Sequence, residues 1–227
     1  MSNYPDEQSI WKIISSVQSD ILELCENGYY KLAYMNEEKK YWPCIPSWML
    51  DEKSNNRIKN ILDIGCGYGT LSITAKLLYK CNVCCMDFIN AYLSKKIIDK
   101  YNLNFKIGNI ETDRIPWNFK FDIILLTEVI EHFNFNSLPT LIKIREALSD
   151  NGSLFLSTPD AEYYGRPDYY RNYKNMPAPK KGIPIRDCHI YVFNKRELLD
   201  IFDKTGFSIS RLQKTESHHF NIKLVKK

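Results

Sequence analysis

The chain has 227 residues, of which 44% are hydrophobic and 26% charged, and its formal net charge at pH 7 is +4. This composition is typical of a soluble globular protein and excludes intrinsic disorder and a fibrous structure. The charge is too weak to indicate nucleic-acid binding by itself, since a dedicated binder shows a concentrated basic face, but it permits such binding. No apolar run approaches the roughly 20 residues of a membrane span, and the polar N-terminus is not a signal sequence, so we expect a cytoplasmic protein that does not enter a membrane.

The seven cysteines indicate a reducing compartment. Their number is odd, and most lie in or beside apolar runs rather than framing loops, so a disulfide scaffold is not expected. Cys81 and Cys84 have CxxC spacing, but they lie inside a predicted strand and no second pair accompanies them. Buried packing is therefore favoured over a zinc or redox role.

Predicted strands and helices alternate along the chain. Apolar residues at helical spacing predict an N-terminal helix over about 6–26. Short apolar runs predict buried strands over 60–65, 82–88, 121–127 and 152–159, separated by helix-like stretches over 71–79, 91–101 and 138–148. A helix at about 194–205 and two closing strands, 206–213 and 218–225, complete the pattern. This order predicts an α/β fold with a doubly wound, mostly parallel sheet that ends in an antiparallel pair.

A glycine-rich loop, in ILDIGCGYGTLS, joins the first strand of this sheet to a helix. Gly65, Gly67 and Gly69 allow a tight turn and a close approach of a ligand to the backbone, and the helix that follows offers unpaired N–H groups. The spacing is GxGxG, which argues against the GxGxxG fingerprint of dinucleotide-binding proteins. Asp87 ends the second strand about 20 residues further on, where a carboxylate can accept the hydroxyl protons of a ribose. A bound nucleoside is expected, the alternative being glycines that only tighten a turn.

With these motifs the sequence resembles the class I S-adenosylmethionine-dependent methyltransferases. The resemblance covers about 57–225 and rests on six stretches in family order: ILDIGCGYGT, CMDF, IGNIE, FDIILLTEVIEHF, GSLFLSTPD and HIYVFNKRELLDIFDKTGF. It implies a Rossmann-like sheet of seven strands, the last of them antiparallel. It also implies S-adenosyl-L-methionine as the cofactor.

The resemblance assigns residues to each part of that cofactor. Asp63, Gly65 and Gly67 are expected beside its methionine and ribose, and Asp87 on the ribose hydroxyls. Asn109 and Ile110 fall beside the adenine, where Asn109 departs from the usual aspartate but keeps an amide oxygen that can accept from the exocyclic amine. The full predicted cofactor set is Asp63, Gly65, Cys66, Gly67, Asp87, Phe88, Asn109, Ile110 and Thr127.

The stretch LTEVIEHF, after the fourth predicted strand, carries the candidate catalytic residues. In a helical turn Glu128, Glu131 and His132 would share one face, at the carboxyl end of a parallel strand, where open sheets bind ligands. With His189 they would form a set of oxygen and nitrogen ligands for Mg²⁺ or Mn²⁺, with Zn²⁺ or Fe²⁺ as further options. The stretch is similar to the E..EH run of ubiquinone-pathway O-methyltransferases. It is also similar to the two glutamates and two histidines around the metal of RNA 3′-terminal 2′-O-methyltransferases, although no Phe-Glu-Trp follows His189.

The predicted activity is methyl transfer to an oxygen of a small metabolite, which could be phosphorylated or linked to a nucleotide or sugar. A divalent metal would lower the pKa of the attacking hydroxyl. Three alternatives stay open at this point: a metal-free enzyme in which Glu128 caps the helix and His132 is the general base, an RNA 3′-terminal ribose 2′-O-methyltransferase, and a binding module without catalysis.

The substrate side is predicted from aromatic and basic residues. Residues 1–56 are expected to form a helical extension and substrate rim, and 57–227 the cofactor-binding domain, with an aromatic and basic cover at about 160–188. Aromatic faces interleaved with cations suit a sugar, nucleotide or phosphate-bearing acceptor, although a solvated loop packed by tyrosine rings is an equal alternative. The predicted substrate residues are Trp42, Tyr163, Tyr164, Arg166 and Arg186. The expected partner is a small-molecule acceptor, nucleic acid is less expected, and the oligomeric state is not indicated.

Overall fold

The computed structural model describes residues 7–25, 28–55 and 58–227. Its centre is a seven-stranded sheet in the order β3-β2-β1-β4-β5-β7-β6. The strands are β1 (Asn60–Ile64), β2 (Asn82–Asp87), β3 (Asn104–Ile107), β4 (Phe121–Thr127), β5 (Leu148–Pro159), β6 (Phe207–Lys214) and β7 (His219–Lys226). β1 to β5 pair in parallel, and β7 is antiparallel to both of its neighbours. The predicted fold class is confirmed.

The helices pack around this sheet. They are α1 (Glu7–Leu24), α2 (Glu38–Tyr41), α3 (Cys44–Asn55), α4 (Thr70–Tyr79), α5 (Lys95–Tyr101), α6 (Ser137–Ala147), α7 (Ala161–Tyr164) and α8 (Lys195–Lys204), with a π-helical turn at Tyr30–Tyr34. α5 begins four residues later than the sequence pattern predicts, because the Ser94 side chain caps it by accepting from the Ile97 amide. None of the described helices combines the length and apolar character that crossing a membrane requires.

The switch in strand order lies between β1 and β4. Chain connections leave β1 towards β2 on one side and reach β4 on the other, so a crevice opens at the carboxyl ends of these two strands. The glycine loop follows β1, and the stretch LTEVIEHF follows β4. The fold therefore brings the two strongest sequence motifs to the same edge of the sheet.

The N-terminal segment, residues 7–25 and 28–55, packs against one face of the sheet. Neighbouring residues of a strand point to opposite faces, so Leu62 joins one buried cluster and Ile61 the other. The cluster of Ile61 also contains Ile10, Ile14 and Val17 of α1. The predicted helical extension thus shares a hydrophobic core with the sheet.

Asn221 of β7 ties this N-terminal segment to the sheet. The side chain is fully buried, its Nδ2 donates to the Tyr41 carbonyl at 2.7 Å, and its Oδ1 accepts from the Cys44 amide at 3.1 Å. Asn221→Ala leaves both backbone groups without their partner, so we expect the free energy of unfolding to fall by about 1–3 kcal/mol. Urea denaturation measures this, with Asn82→Ala at an exposed strand position as the control. Equal unfolding of Asn221→Ala and the wild type would contradict the anchoring role.

Candidate active site

The glycine loop after β1 has the conformation that only glycine adopts easily. Gly65, Gly67 and Gly69 all have left-handed backbone angles, with φ of 69°, 50° and 87°. A Cβ on Gly65 would overlap the side chain of Val129, which stands on the loop after β4. The loop therefore packs directly against the stretch that carries the predicted catalytic residues.

Asp87 ends β2 beside this loop. Its carboxylate accepts from the Gly67 amide at 3.1 Å and the Ile89 amide at 3.3 Å, and only 7% of the residue is exposed. Burial raises the pKa of Asp87, and the two amide bonds act in the opposite direction. An acceptor of this kind at a strand end suits the hydroxyl groups of a ribose.

A cleft that is partly open to solvent runs past Asp87. Five of the predicted cofactor residues line it: Gly65, Asp87, Phe88, Asn109 and Ile110. The missing Cβ at Gly65, the carboxylate of Asp87 and the apolar walls fit a nucleoside with its sugar on the acid. The residues present are therefore compatible with S-adenosylmethionine.

The remaining predicted cofactor residues lie outside the lining of this cleft. Asp63 is 2% exposed, its carboxylate accepts from Ser72 Oγ at 2.5 Å, and burial raises its pKa to about 7. Hydrogen bonding to Cys85 and burial raise the pKa of the Cys66 thiol. Thr127 is half-buried at the end of β4 and pairs with Ser157 of β5. The Asp63 side chain thus contacts α4, and that of Cys66 contacts β2.

Glu111 is a cleft residue that the sequence analysis did not single out. It is 6% exposed and accepts from the backbone amides of Asn134 at 3.0 Å and Phe135 at 2.8 Å. The Oδ1 atom of Asn109 accepts from the Glu111 amide at 2.9 Å, so the amide oxygen expected beside the adenine also shapes the turn. Glu111 thereby joins the turn after β3 to the chain just after His132.

The stretch LTEVIEHF departs from the predicted single helical turn. A 3₁₀ turn covers only Ile130–His132. Glu128 precedes it in a left-handed conformation, with φ of 54°, and its amide donates to the Ser157 carbonyl at 3.0 Å. Glu128 therefore does not continue the face that Glu131 and His132 share.

Three of the four predicted metal ligands come together. Glu131, His132 and His189 each offer a ligand atom, and among the described residues these atoms lie within 4.8 Å of one another. The His132 and His189 rings meet edge to face, with centroids 4.8 Å apart. The Glu131 carbonyl accepts from the amides of Ile190 at 2.7 Å and Tyr191 at 3.1 Å, which holds the chain after His189 against the turn.

Two polar atoms of this group are buried without a hydrogen-bond partner among the described residues. Glu131 is fully buried, its Oε2 accepts from Thr158 Oγ1 at 3.0 Å, and its Oε1 has no hydrogen-bond partner among the described residues. His132 Nδ1 is likewise buried and unpaired there, since Asp187 Oδ1 stands 3.8 Å away. Burial raises the pKa of Glu131 to about 7, and burial lowers the pKa of His132 to about 4 and that of His189 below its ordinary value.

Glu128 lies beside the group of three and contacts a histidine that the sequence analysis did not assign. Its Oε2 is 3.3 Å from His219 Nε2, and its buried Oε1 has no hydrogen-bond partner among the described residues. Burial and the neighbouring Glu131 carboxyl raise the pKa of Glu128 well above its ordinary range. The only signal for His219 in the sequence is a histidine pair at the start of the last predicted strand.

The cover at 160–188 forms one wall of the cofactor cleft. Ile185, Arg186 and Asp187 line the cleft. The Arg186 amide donates to Asn134 Oδ1 at 2.8 Å, Asn134 Nδ2 donates to the Arg186 carbonyl at 3.1 Å, and the Arg186 guanidinium lies over the Tyr169 ring. Arg186, predicted to face the substrate, thus lies at the cofactor cleft.

The other predicted substrate residues differ in what they contact. Trp42 is 5% exposed and stacks on Trp11, which leaves little of its face for a substrate. Arg166 forms an ion pair with Glu197 of α8 and donates to the Val192 carbonyl at 3.0 Å. Tyr163 and Tyr164 are exposed and stand near the histidine pair: Tyr163 stacks on His218, and the Tyr164 ring is 5.2 Å from that of His219. Of the N-terminal segment, Tyr41 contacts His219, at 4.7 Å between ring centroids.

Comparisons with known proteins agree with the fold. A family model described as a methyltransferase domain matches residues 41–212. The mitochondrial ubiquinone biosynthesis O-methyltransferase of Candida albicans is 31% identical over 121 residues, which are 50% of this chain and 36% of that protein. The matched part is thus about a third of the length of that curated relative.

Solved structures share the fold at low identity. DesVI of Streptomyces venezuelae is similar with a TM-score of 0.63 at 15% identity, over 87% of this chain and 97% of that one. An S-adenosylmethionine-dependent methyltransferase of Clostridium acetobutylicum is similar with a TM-score of 0.60 at 13% identity, over 88% and 99%. The chain therefore belongs to the methyltransferase domain family and has the class I fold of the S-adenosylmethionine-dependent methyltransferases.

Proposed function

We propose that the protein transfers a methyl group from S-adenosylmethionine to an oxygen of a small hydroxylated metabolite, assisted by a divalent cation that Glu131, His132 and His189 bind. One observation carries this proposal. Two ligand atoms in the group of three, Glu131 Oε1 and His132 Nδ1, are buried without a hydrogen-bond partner among the described residues. Buried polar atoms are almost always paired, so unpaired ones that converge on one point indicate a missing ligand.

The chemistry of the donor set suits a cation. One carboxylate and two imidazoles are ligands for Mn²⁺, Zn²⁺ and Fe²⁺, and Mg²⁺ is compatible with the carboxylate. An imidazole must be neutral to coordinate, and burial keeps both rings neutral at pH 7 by lowering their pKa. The cation would supply positive charge beside the acceptor hydroxyl and so lower its pKa. The cofactor would supply an electrophilic methyl group.

A metal-free reaction with His132 as the general base is less well supported. A general base works best when its pKa lies near the working pH, and burial lowers the pKa of His132 to about 4. That mechanism also assigns no role to the unpaired oxygen of Glu131. The group of three is therefore better explained by a cation.

The acceptor is proposed from the relatives and the cover. Oxygen is favoured because the curated relative is named as an O-methyltransferase. The exposed rings of Tyr163 and Tyr164, which lie beside His218 and His219, favour a small acceptor with a planar or sugar-like part. The cations of the cover allow a phosphate or nucleotide on this acceptor. Methylation of an RNA 3′-terminal ribose stays the second candidate because the ligand types match, although the net charge of +4 is modest for RNA binding.

Removal of the metal tests the proposal. After treatment with a chelator and desalting, we expect methyl transfer to a panel of hydroxylated metabolites to disappear and added Mn²⁺ to restore it. Binding of S-adenosylhomocysteine, measured by calorimetry, serves as the control. It should survive the treatment, because two of the three ligands, Glu131 and His189, do not line the cofactor cleft. Full activity without metal would refute the cation and favour His132 as the base. Transfer to 3′-terminal RNA ribose alone would favour the second candidate.

A further inference from the structure

His219 is held in place on several sides. Its amide donates to Thr215 Oγ1 at 3.0 Å and its carbonyl accepts from the Thr215 amide at 2.8 Å, which closes the turn between β6 and β7. The rings of Tyr41 and Tyr164 pack against the imidazole. Only 4% of His219 is exposed, so the ring has little freedom to rotate.

One nitrogen of this ring fixes its orientation. His219 Nδ1 lies 2.9 Å from the Ser217 carbonyl oxygen. A carbonyl oxygen only accepts, so Nδ1 must carry the hydrogen of this bond. The other nitrogen, Nε2, then lies 3.3 Å from Glu128 Oε2, within the distance of an ion pair.

Glu128 needs such support. Its backbone is left-handed, a conformation that costs a residue with a side chain energy and occurs mostly where the surroundings impose it. Its second oxygen, Oε1, is buried without a hydrogen-bond partner among the described residues, beside Glu131. A carboxylate that served only to bind His219 would lose stability through this unpaired oxygen.

We propose that His219 is a positioning residue, which holds Glu128 Oε2 so that Oε1 is presented as the fourth protein ligand to the cation of Glu131, His132 and His189. This inference rests on the proposed function. Carboxylate ligands of metals are themselves held by hydrogen bonds, and loss of such a partner typically lowers metal affinity by about 10–100-fold. His219 is thus the partner of a ligand and does not itself touch the metal.

Two conservative substitutions separate this role from a purely structural one. The amide nitrogen of asparagine can replace Nδ1 and keep the hydrogen bond to Ser217. The amide nitrogen of glutamine can replace Nε2 and keep the contact with Glu128. We therefore expect His219→Asn to weaken Mn²⁺ binding by about 10–100-fold and His219→Gln to retain most of the affinity. His218→Ala is the matched control, because that neighbouring ring stacks on Tyr163 and should not change Mn²⁺ affinity.

The measurement is a titration of metal-stripped protein with Mn²⁺ alone, followed by calorimetry and by the electron paramagnetic resonance signal of free Mn²⁺. In a Glu128→Gln background, His219→Asn should cause little further loss, because the two residues act through one contact. Equal Mn²⁺ affinity of His219→Asn and the wild type would refute the role of His219 and leave the proposed metal site standing. A wild-type protein that binds no Mn²⁺ would refute both. A further loss of full size in the Glu128→Gln background would assign His219 a structural role instead.

Discussion

Replacing Glu131 by glutamine is expected to lower kcat for methyl transfer by roughly a thousandfold and to leave the affinity for S-adenosylhomocysteine nearly unchanged. The substitution removes the only carboxylate in the group of three that the described residues form, and with it a ligand to the proposed cation. Metal assistance is worth several kcal/mol, and each 1.36 kcal/mol corresponds to a factor of ten in rate, which gives about a thousandfold. The cofactor should still bind, because Glu131 does not line the cofactor cleft.

The local fold should survive this substitution. Glutamine has the same length as glutamate and can keep a hydrogen bond to Thr158, and the backbone carbonyl that holds Ile190 and Tyr191 is unchanged. Steady-state kinetics with and without added Mn²⁺, together with calorimetry, measure the effect. Glu52→Gln is the matched control, since Glu52 is also a buried carboxylate but pairs with Lys223. Unchanged kcat in Glu131→Gln would remove Glu131 from the chemistry.

Asp87→Ala should weaken cofactor binding by about 1–3 kcal/mol, which corresponds to a rise in Kd of about five-fold to 150-fold. The substitution leaves the ribose hydroxyls without their acceptor. It also frees the amides of Gly67 and Ile89, which now donate to the carboxylate, so the glycine loop loses its support from β2. Both effects act on binding of the cofactor rather than on the transfer step.

Asp122→Ala provides a matched control for this loss. Asp122 is likewise a strand aspartate that accepts from two backbone amides, those of Lys59 at 2.8 Å and Asn60 at 3.1 Å, but it lies at the opposite end of the sheet. We expect Asp122→Ala to lower the free energy of unfolding without changing the Kd of S-adenosylhomocysteine. Calorimetry at a temperature at which the variant stays folded measures this Kd. If Asp87→Ala bound this ligand as tightly as the wild type, Asp87 would have no place in the cofactor site.

Most of the sheet was predictable from the sequence because its strands are buried on both faces. β1 and β4 read as continuous apolar runs that end at the two motifs of the site. β3 does not form an apolar run, because it is a four-residue edge strand in which three residues are exposed. Its presence followed only from the family resemblance, which implied seven strands.

The site was predictable where a motif is local in sequence and less so where contacts come from afar. Glu131, His132 and His189 meet as predicted, since β4 and the chain before α8 both reach the same edge of the sheet. His219 escaped the sequence analysis because β7 runs against its neighbours. Parallel strands contribute their last residues to the catalytic edge, whereas this reversed strand contributes its first, and no strand-end motif marks it.

The aromatic residues show the limit of composition as a guide. Trp42 and Tyr41 are neighbours, and the sequence favoured the larger ring as part of the substrate rim. Packing on α1 decides which of the two lies in the core: Trp42 stacks on Trp11, and Tyr41 lies beside His219. Likewise, Arg166 forms an ion pair with Glu197 of α8, and these two residues are far apart in the sequence.

The packing of the N-terminal segment on the sheet determines how a shortened chain would behave in solution. A fragment that begins at residue 57 would keep all six sequence stretches on which the family resemblance rests. It would also expose to water the sheet face that Ile10, Ile14 and Val17 now cover, along with the buried amide of Asn221. An uncovered apolar face of that kind promotes aggregation. The six stretches that resemble the family therefore cover less of the chain than the hydrophobic core does.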